Sequence, residues 1–166
     1  SYAASATLTE NLDRCSVPSE VLPLLAQTAD PVLRETVRDF AANKPFRRDV
    51  YARGDAALTA EAQRRAWASI RFVLVVPRER VAFKFIGPLS ELNGNPLLYA
   101  PLADRLDQSP ASFDQVLDAC GLGEERAALL MECLTLLVHS GQVLPLIAPP
   151  CADAAPARRF NRMVVE

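Results

Sequence analysis

The 166-residue chain predicts a mainly α fold with a small antiparallel β element, an α+β domain. Three observations carry that prediction. Apolar residues recur at helical spacing around 33–41, 98–106 and 127–137, whereas β-branched or alternating runs are confined to 71–76, 81–86 and 142–147. Half of the residues are apolar and 23% are charged, a balance that closes a core and does not describe a disordered segment.

Residues 1–29 show no lasting period before Pro18 and Pro23 interrupt them, and they read as a lead-in. Asp30 is placed to cap a helix beginning at Pro31, with Leu33, Val37, Phe40 and Ala41 on one face and Lys44-Pro45 as its end. The segment Phe46 to Gly54 is short, basic and aromatic. Thr59 then caps a helix over Ala60 to Ala68, around Trp67. A β-hairpin is expected from Arg71–Val76 and Val81–Ile86, joined by Pro77-Arg-Glu-Arg80 and closed by Gly87-Pro88.

After Asn93-Gly94-Asn95-Pro96 comes a helix with Leu98, Leu102 and Leu106 in one stripe and Pro101 as a point of kinking. Ser112 and Gln115 form a capping box for a short helix carrying Phe113, Val116, Leu117 and Cys120. Gly121-Leu-Gly123 turns the chain into a longer helix from Glu124 to about Ser140, stopped by Gly141, and a strand follows. Short helix, turn, long helix and strand after a hairpin is the order of a winged-helix-like unit. The expected division is a lead-in at 1–29, a helical part at 30–69, and a hairpin plus winged-helix-like part at 70–148. A linker and the start of a further helix complete it at 149–166. These ends read as excised from a longer chain.

Composition removes several chemistries. His139 is the only histidine, so a site needing two imidazoles is excluded. Cys120, Cys133, His139 and Cys151 lack the close paired spacing of a structural zinc site, and the thiols on apolar faces read as packing residues in a reducing compartment. Gly121-Leu-Gly123 follows a helix and not a strand, so it does not make a nucleotide loop. No stretch approaches the ~18 apolar residues that cross a bilayer, and the start of the chain lacks a signal-peptide pattern, so a cytoplasmic location without membrane attachment is expected. Catalytic, cofactor and metal residues are therefore expected to be absent from this stretch.

The net charge of −2 conceals a division. Residues 31–84 hold twelve basic and six acidic side chains, and residues 85–148 hold two basic and eight acidic ones. The would-be recognition helix begins Glu124-Glu125, which argues against nucleic acid. A winged-helix nucleic-acid module remains the alternative reading. The arginines of the basic stretch either pair with the acidic stretch or present a surface to a partner. The candidate interaction residues are Phe46, Arg47, Arg48, Tyr51 and Arg53, with Trp67; core packing is the competing role for the three aromatics.

The run from Asp30 to Gly54, with Asp39-Phe40, Asn43 and Phe46-Arg47, resembles the predicted methyltransferase regulatory domain family. Arg71-Phe-Val-Leu74, Lys84-Phe-Ile-Gly87 and Leu134 to Gly141 are similar to its later elements, so that the resemblance covers about residues 5–147. It implies a module of bacterial S-adenosylmethionine-dependent methyltransferases, placed after the catalytic domain and regulating it. S-adenosylmethionine would then be bound by that domain and not by this one. The implied partners are the catalytic domain of the same chain and a second copy in a homodimer.

Overall fold

The computed structural model describes residues 2–54 and 58–146. In the first unit, β1 (Tyr2–Ser5) pairs antiparallel with β2 (Asp49–Tyr51), Tyr2 facing Tyr51 and Ser5 facing Asp49. The chain between them winds through a 3-10 turn at Leu8–Asn11, α1 (Asp13–Ser16), a second 3-10 turn at Ser19–Val21, α2 (Leu22–Gln27) and α3 (Pro31–Ala41). The stretch expected as a lead-in is thus ordered. Its elements are too short to show a period, and they are fixed by what they touch.

Local chemistry sets the limits of α3. The Asp30 carboxylate accepts the Leu33 N–H at 2.8 Å, and Pro31 occupies a first-turn position where its missing N–H costs nothing. At the other end Asn43 takes a left-handed conformation, φ 46°. The Lys44 N–H then reaches back to the Asp39 carbonyl at 3.0 Å and the Asn43 N–H to that of Phe40 at 3.2 Å, closing a Schellman turn.

The second unit begins with α4 (Ala60–Ser69), capped by the Thr59 hydroxyl, which accepts the Ala62 N–H at 3.1 Å. Next come β3 (Arg71–Leu74), β4 (Lys84–Ile86), β5 (Glu91–Asn93) and α5 (Pro96–Gln108). They are followed by β6 (Ala111–Ser112), α6 (Phe113–Ala119), α7 (Ala127–His139) and β7 (Val143–Leu146). The Ser112–Gln115 capping box forms in both directions. The helix read from Glu124 opens as a 3-10 turn at Glu124–Arg126 before α7 begins. α5 runs through Pro101, and the carbonyl that this proline leaves unpartnered belongs to Leu97, at the exposed start of the helix.

The core lies here. Phe72, Leu102, Phe113, Leu134, Leu137 and Val143 are each no more than 2% exposed. Trp67 lies over it, its ring 5.9 Å from that of Phe72 and 5.7 Å from that of Phe113. Among the described residues helix outweighs strand and every strand pairing is antiparallel, consistent with an α+β fold.

The hairpin expected from 71–76 and 81–86 does not form. β3 is the central strand of a three-stranded sheet in the order β6-β3-β7, and β4 pairs forward with β5. A run as apolar as Phe72-Val-Leu-Val-Val76 suits a strand flanked on both sides, and it finds both neighbours late in the chain. The Gly87-Pro88 turn joins β4 to β5, with the Gly87 N–H on the Ser90 carbonyl at 2.9 Å. Among the described residues the helix–strand–helix–helix–strand order of α5 to β7 is present, but the third strand of its sheet is β3, which precedes α5. The expected linker at 149–156, the helix start at 157–166 and Cys151 lie outside the described residues.

Candidate functional site

The first unit gathers its charges into a half-buried network. Arg34, Glu35, Arg38 and Asp39 share one side of α3, because positions three and four apart on a helix are neighbours. Arg38 bridges Asp13 and Glu35, Arg34 pairs with Asp13 and donates to the Leu25 carbonyl, and Lys44 pairs with Glu10. Arg47, arriving from the strand side, is the hub. Its guanidinium donates to Glu35 at 2.8 Å, Asp39 at 3.0 Å and Asp49 at 3.0 Å, and it lies 5.0 Å from the centre of the Tyr2 ring. The Tyr2 hydroxyl donates to Glu35 at 3.1 Å.

Electrostatics follow the geometry. Burial works against the Arg47 charge, but hydrogen bonds to Asp39, Glu35 and Asp49 overcome it and hold the guanidinium firmly protonated. Burial also works against the Glu10 carboxylate, and its bonds with Lys44 and Ser5 still bring it below the usual glutamate value. Burial and the neighbouring Glu35 charge push the Tyr2 phenol up to about 12.

With its polar side turned inward, α3 turns its apolar side out. The stripe Leu33, Val37, Phe40, Ala41 does not face a core. Leu33 is 54% exposed and Phe40 83% exposed. Together with Val21 and Leu24 this stripe lines an open groove of about 560 Å³. The spacing was legible, but an amphipathic period does not say which side faces the interior. Val21, Leu24, Leu33 and Phe40 are the surface residues that sequence reasoning missed, and that stripe was the signal that held two of them, Leu33 and Phe40, on view.

The candidates singled out in the sequence scatter among different roles. Phe46 is 87% exposed and Tyr51 is exposed, edge-on to the Tyr2 ring at 6.2 Å. Arg47 is the hub described above. Arg48 is exposed and donates to the Thr7 hydroxyl at 3.3 Å, and Arg53 is exposed. Trp67 lies away from this segment, over the core of the second unit. Of the basic stretch, Arg64 joins Asp114 and Glu124, Arg78 joins Asp104 and Lys84 joins Glu91, each crossing to the acidic stretch. Lys44 and Arg47 instead pair within the first unit.

Among the described residues no three His, Cys, Asp or Glu side chains converge as metal ligands, and no helix is long and apolar enough to cross a membrane. Burial pushes the Cys120 thiol up to about 11, the opposite of what a reactive thiolate needs. Gly121, at φ 62°, closes α6 through its N–H on the Asp118 carbonyl at 3.0 Å, and Gly123 opens the 3-10 turn that leads into α7.

A stretch of 115 residues, 69% of the chain, is 34% identical to an uncharacterized protein of Synechocystis sp. and covers 23% of that protein. The chain thus spans about a quarter of the length of this curated relative. A family model described as the predicted methyltransferase regulatory domain matches residues 1–53. Those residues begin at β1 and run just past β2, enclosing both the charged hub and the apolar face. Residues 1–53 are therefore the part of this chain that matches the predicted methyltransferase regulatory domain family.

Proposed function

We propose that this chain is a non-catalytic regulatory and interaction domain that packs, through the exposed face of α3, on the catalytic domain of an S-adenosylmethionine-dependent methyltransferase. One observation carries the reading: the two halves of the 39–47 motif have different uses. Asp39 and Arg47 are spent on the hub, and Asn43 on the turn that ends α3. Phe40 and Phe46 serve neither and stand 83% and 87% exposed. A surface that holds large apolar side chains in water gains free energy when another surface covers them. The length of the Synechocystis relative beyond the matched stretch leaves room for a catalytic domain there.

The second unit supplies rigidity to this arrangement. Leu12 and Cys15 pack against its core, so an element seated on α3 would be held at a fixed place relative to α5 and α7. Regulation then consists of positioning and of controlling access to the catalytic cleft. On this reading S-adenosylmethionine belongs to the catalytic domain, since among the described residues no Gly-x-Gly-x-x-Gly loop leads from a strand into a helix. No step of methyl transfer is assigned to them.

The test compares the methyltransferase carrying this domain with a form lacking residues 30–147, and with the Leu33→Asp/Phe40→Asp variant. The reading expects changed kinetics and changed domain association in both. Unaltered kinetics and association in both would contradict it.

A further inference from the structure

A recess separate from the α3 face lies where the two units meet. Its volume is about 240 Å³. Cys15 of α1 forms its edge from the first unit, Phe85 of β4 and Leu98 of α5 form its walls, and Tyr99, Glu132 and Cys133 complete it. The lining is mostly apolar, and a dry apolar cavity of about 150 Å³ already accommodates a benzene ring. The two ring walls are fixed: the centres of Phe85 and Tyr99 lie 5.3 Å apart, and Gly94 lies so close to Tyr99 that a Cβ there would meet the ring at 2.6 Å.

Asn93 and Asn95 also line the recess, and Glu132 is the charged group among its lining residues. It is half-buried, and it forms no salt bridge among the described residues, whereas Glu10, Glu35, Asp39 and Asp49 of the first unit all have cationic partners. A half-buried carboxylate beside an apolar recess gains from a cation that brings its own apolar body. The two thiols do not compete for that position. Burial, reinforced by the Glu132 charge, pushes both Cys15 and Cys133 up and keeps them neutral.

The geometry points to an effector site at this junction for a small cationic amine with a compact apolar body, its ammonium on Glu132 and its body against Phe85, Leu98 and Tyr99. Because Cys15 belongs to one unit and Cys133 to the other, occupancy would brace the two against each other. The site does not depend on the α3 face, and each stands or falls separately.

Benzylamine, benzyl alcohol and benzoate are the probes, titrated into the chain at neutral pH and read by calorimetry and thermal shift. Benzylamine is expected to bind about tenfold or more tighter than benzyl alcohol, with benzoate weaker than both. Glu132→Gln is expected to bring benzylamine down to the level of benzyl alcohol while leaving the alcohol unchanged, which shows that the recess in the variant is intact. Gly94→Ala, which drives the Tyr99 ring from its place, is expected to weaken all three. Equal binding of amine and alcohol, an amine preference that survives Glu132→Gln, or no binding of any probe overturns the proposal.

Discussion

The two units of this chain use opposite strategies. In residues 60–146 the interior is hydrocarbon and aromatic, built on Phe72, Phe113, Leu134 and Leu137, and charged groups lie at the rim. In residues 2–53 Val17 and Leu25 are buried, a half-buried network of arginines and carboxylates gathers around Arg47, and Leu24, Leu33, Phe40 and Phe46 face water. Burial of a leucine or phenylalanine side chain contributes about 1.5–3 kcal/mol, whereas an ion pair in partial contact with water contributes about 0–1 kcal/mol. The first unit is therefore held by geometry and mutual satisfaction more than by burial. It leans on the second unit through Leu12 and Cys15 and keeps its apolar surface for something else.

The contrast breaks most visibly in the core of the second unit. Leu134→Ala leaves a cavity between α7 and its neighbours and is expected to cost about 3–5 kcal/mol in urea unfolding. The loss should appear in both units, since the first packs on the second. Arg47→Met ranks next. Glu35, Asp39 and Asp49 would then face one another without their common partner, at a cost of about 2–3 kcal/mol. Hydrogen exchange should locate that loss in α3 and the β1–β2 pair and leave α7 protected.

Acid sharpens the comparison further. Glu10 has a folded-state pKa below its ordinary 4.5, so its contribution is complete above that value and is lost as pH falls through the lowered one. Hydrogen exchange below about pH 4 should therefore loosen the first unit before the second. At the alkaline end Tyr2 titrates near 12 instead of 10.0, so the stability it brings is complete below pH 10.0 and fades as pH rises towards 12. A phenolate absorbance titration, with Tyr2→Phe as reference, checks this. The smallest effect on stability is expected for Phe46→Ser, within about 0.5 kcal/mol, because the ring is already in water.

Much of the local structure was legible because it rests on neighbours in sequence. Asp30, Thr59 and the Ser112–Gln115 box cap the helices they were expected to cap. What failed was long-range. Phe72 to Leu74 pairs with a strand some seventy residues later, and nothing in its own sequence names Val143 to Pro145 as its partner. The sense of α3 was hidden for a related reason: Leu33 and Phe40 mark an apolar side, but only the positions of Asp13, Asp49 and Arg47 decide that the other side is buried. The 46–53 segment was found through its composition. Its division into the Arg47 hub and the exposed Phe46 depends on where the fold places Glu35, Asp39 and Asp49.

The central claim is that α3 shows its apolar side to a partner. Leu33→Asp/Phe40→Asp in the methyltransferase chain carrying this domain tests it most directly, with domain association and thermal unfolding measured together. The account predicts that association weakens by about tenfold or more while unfolding of the domain shifts by no more than about 2 °C. Undiminished association, or collapse of the fold when the two side chains become charged, would contradict it.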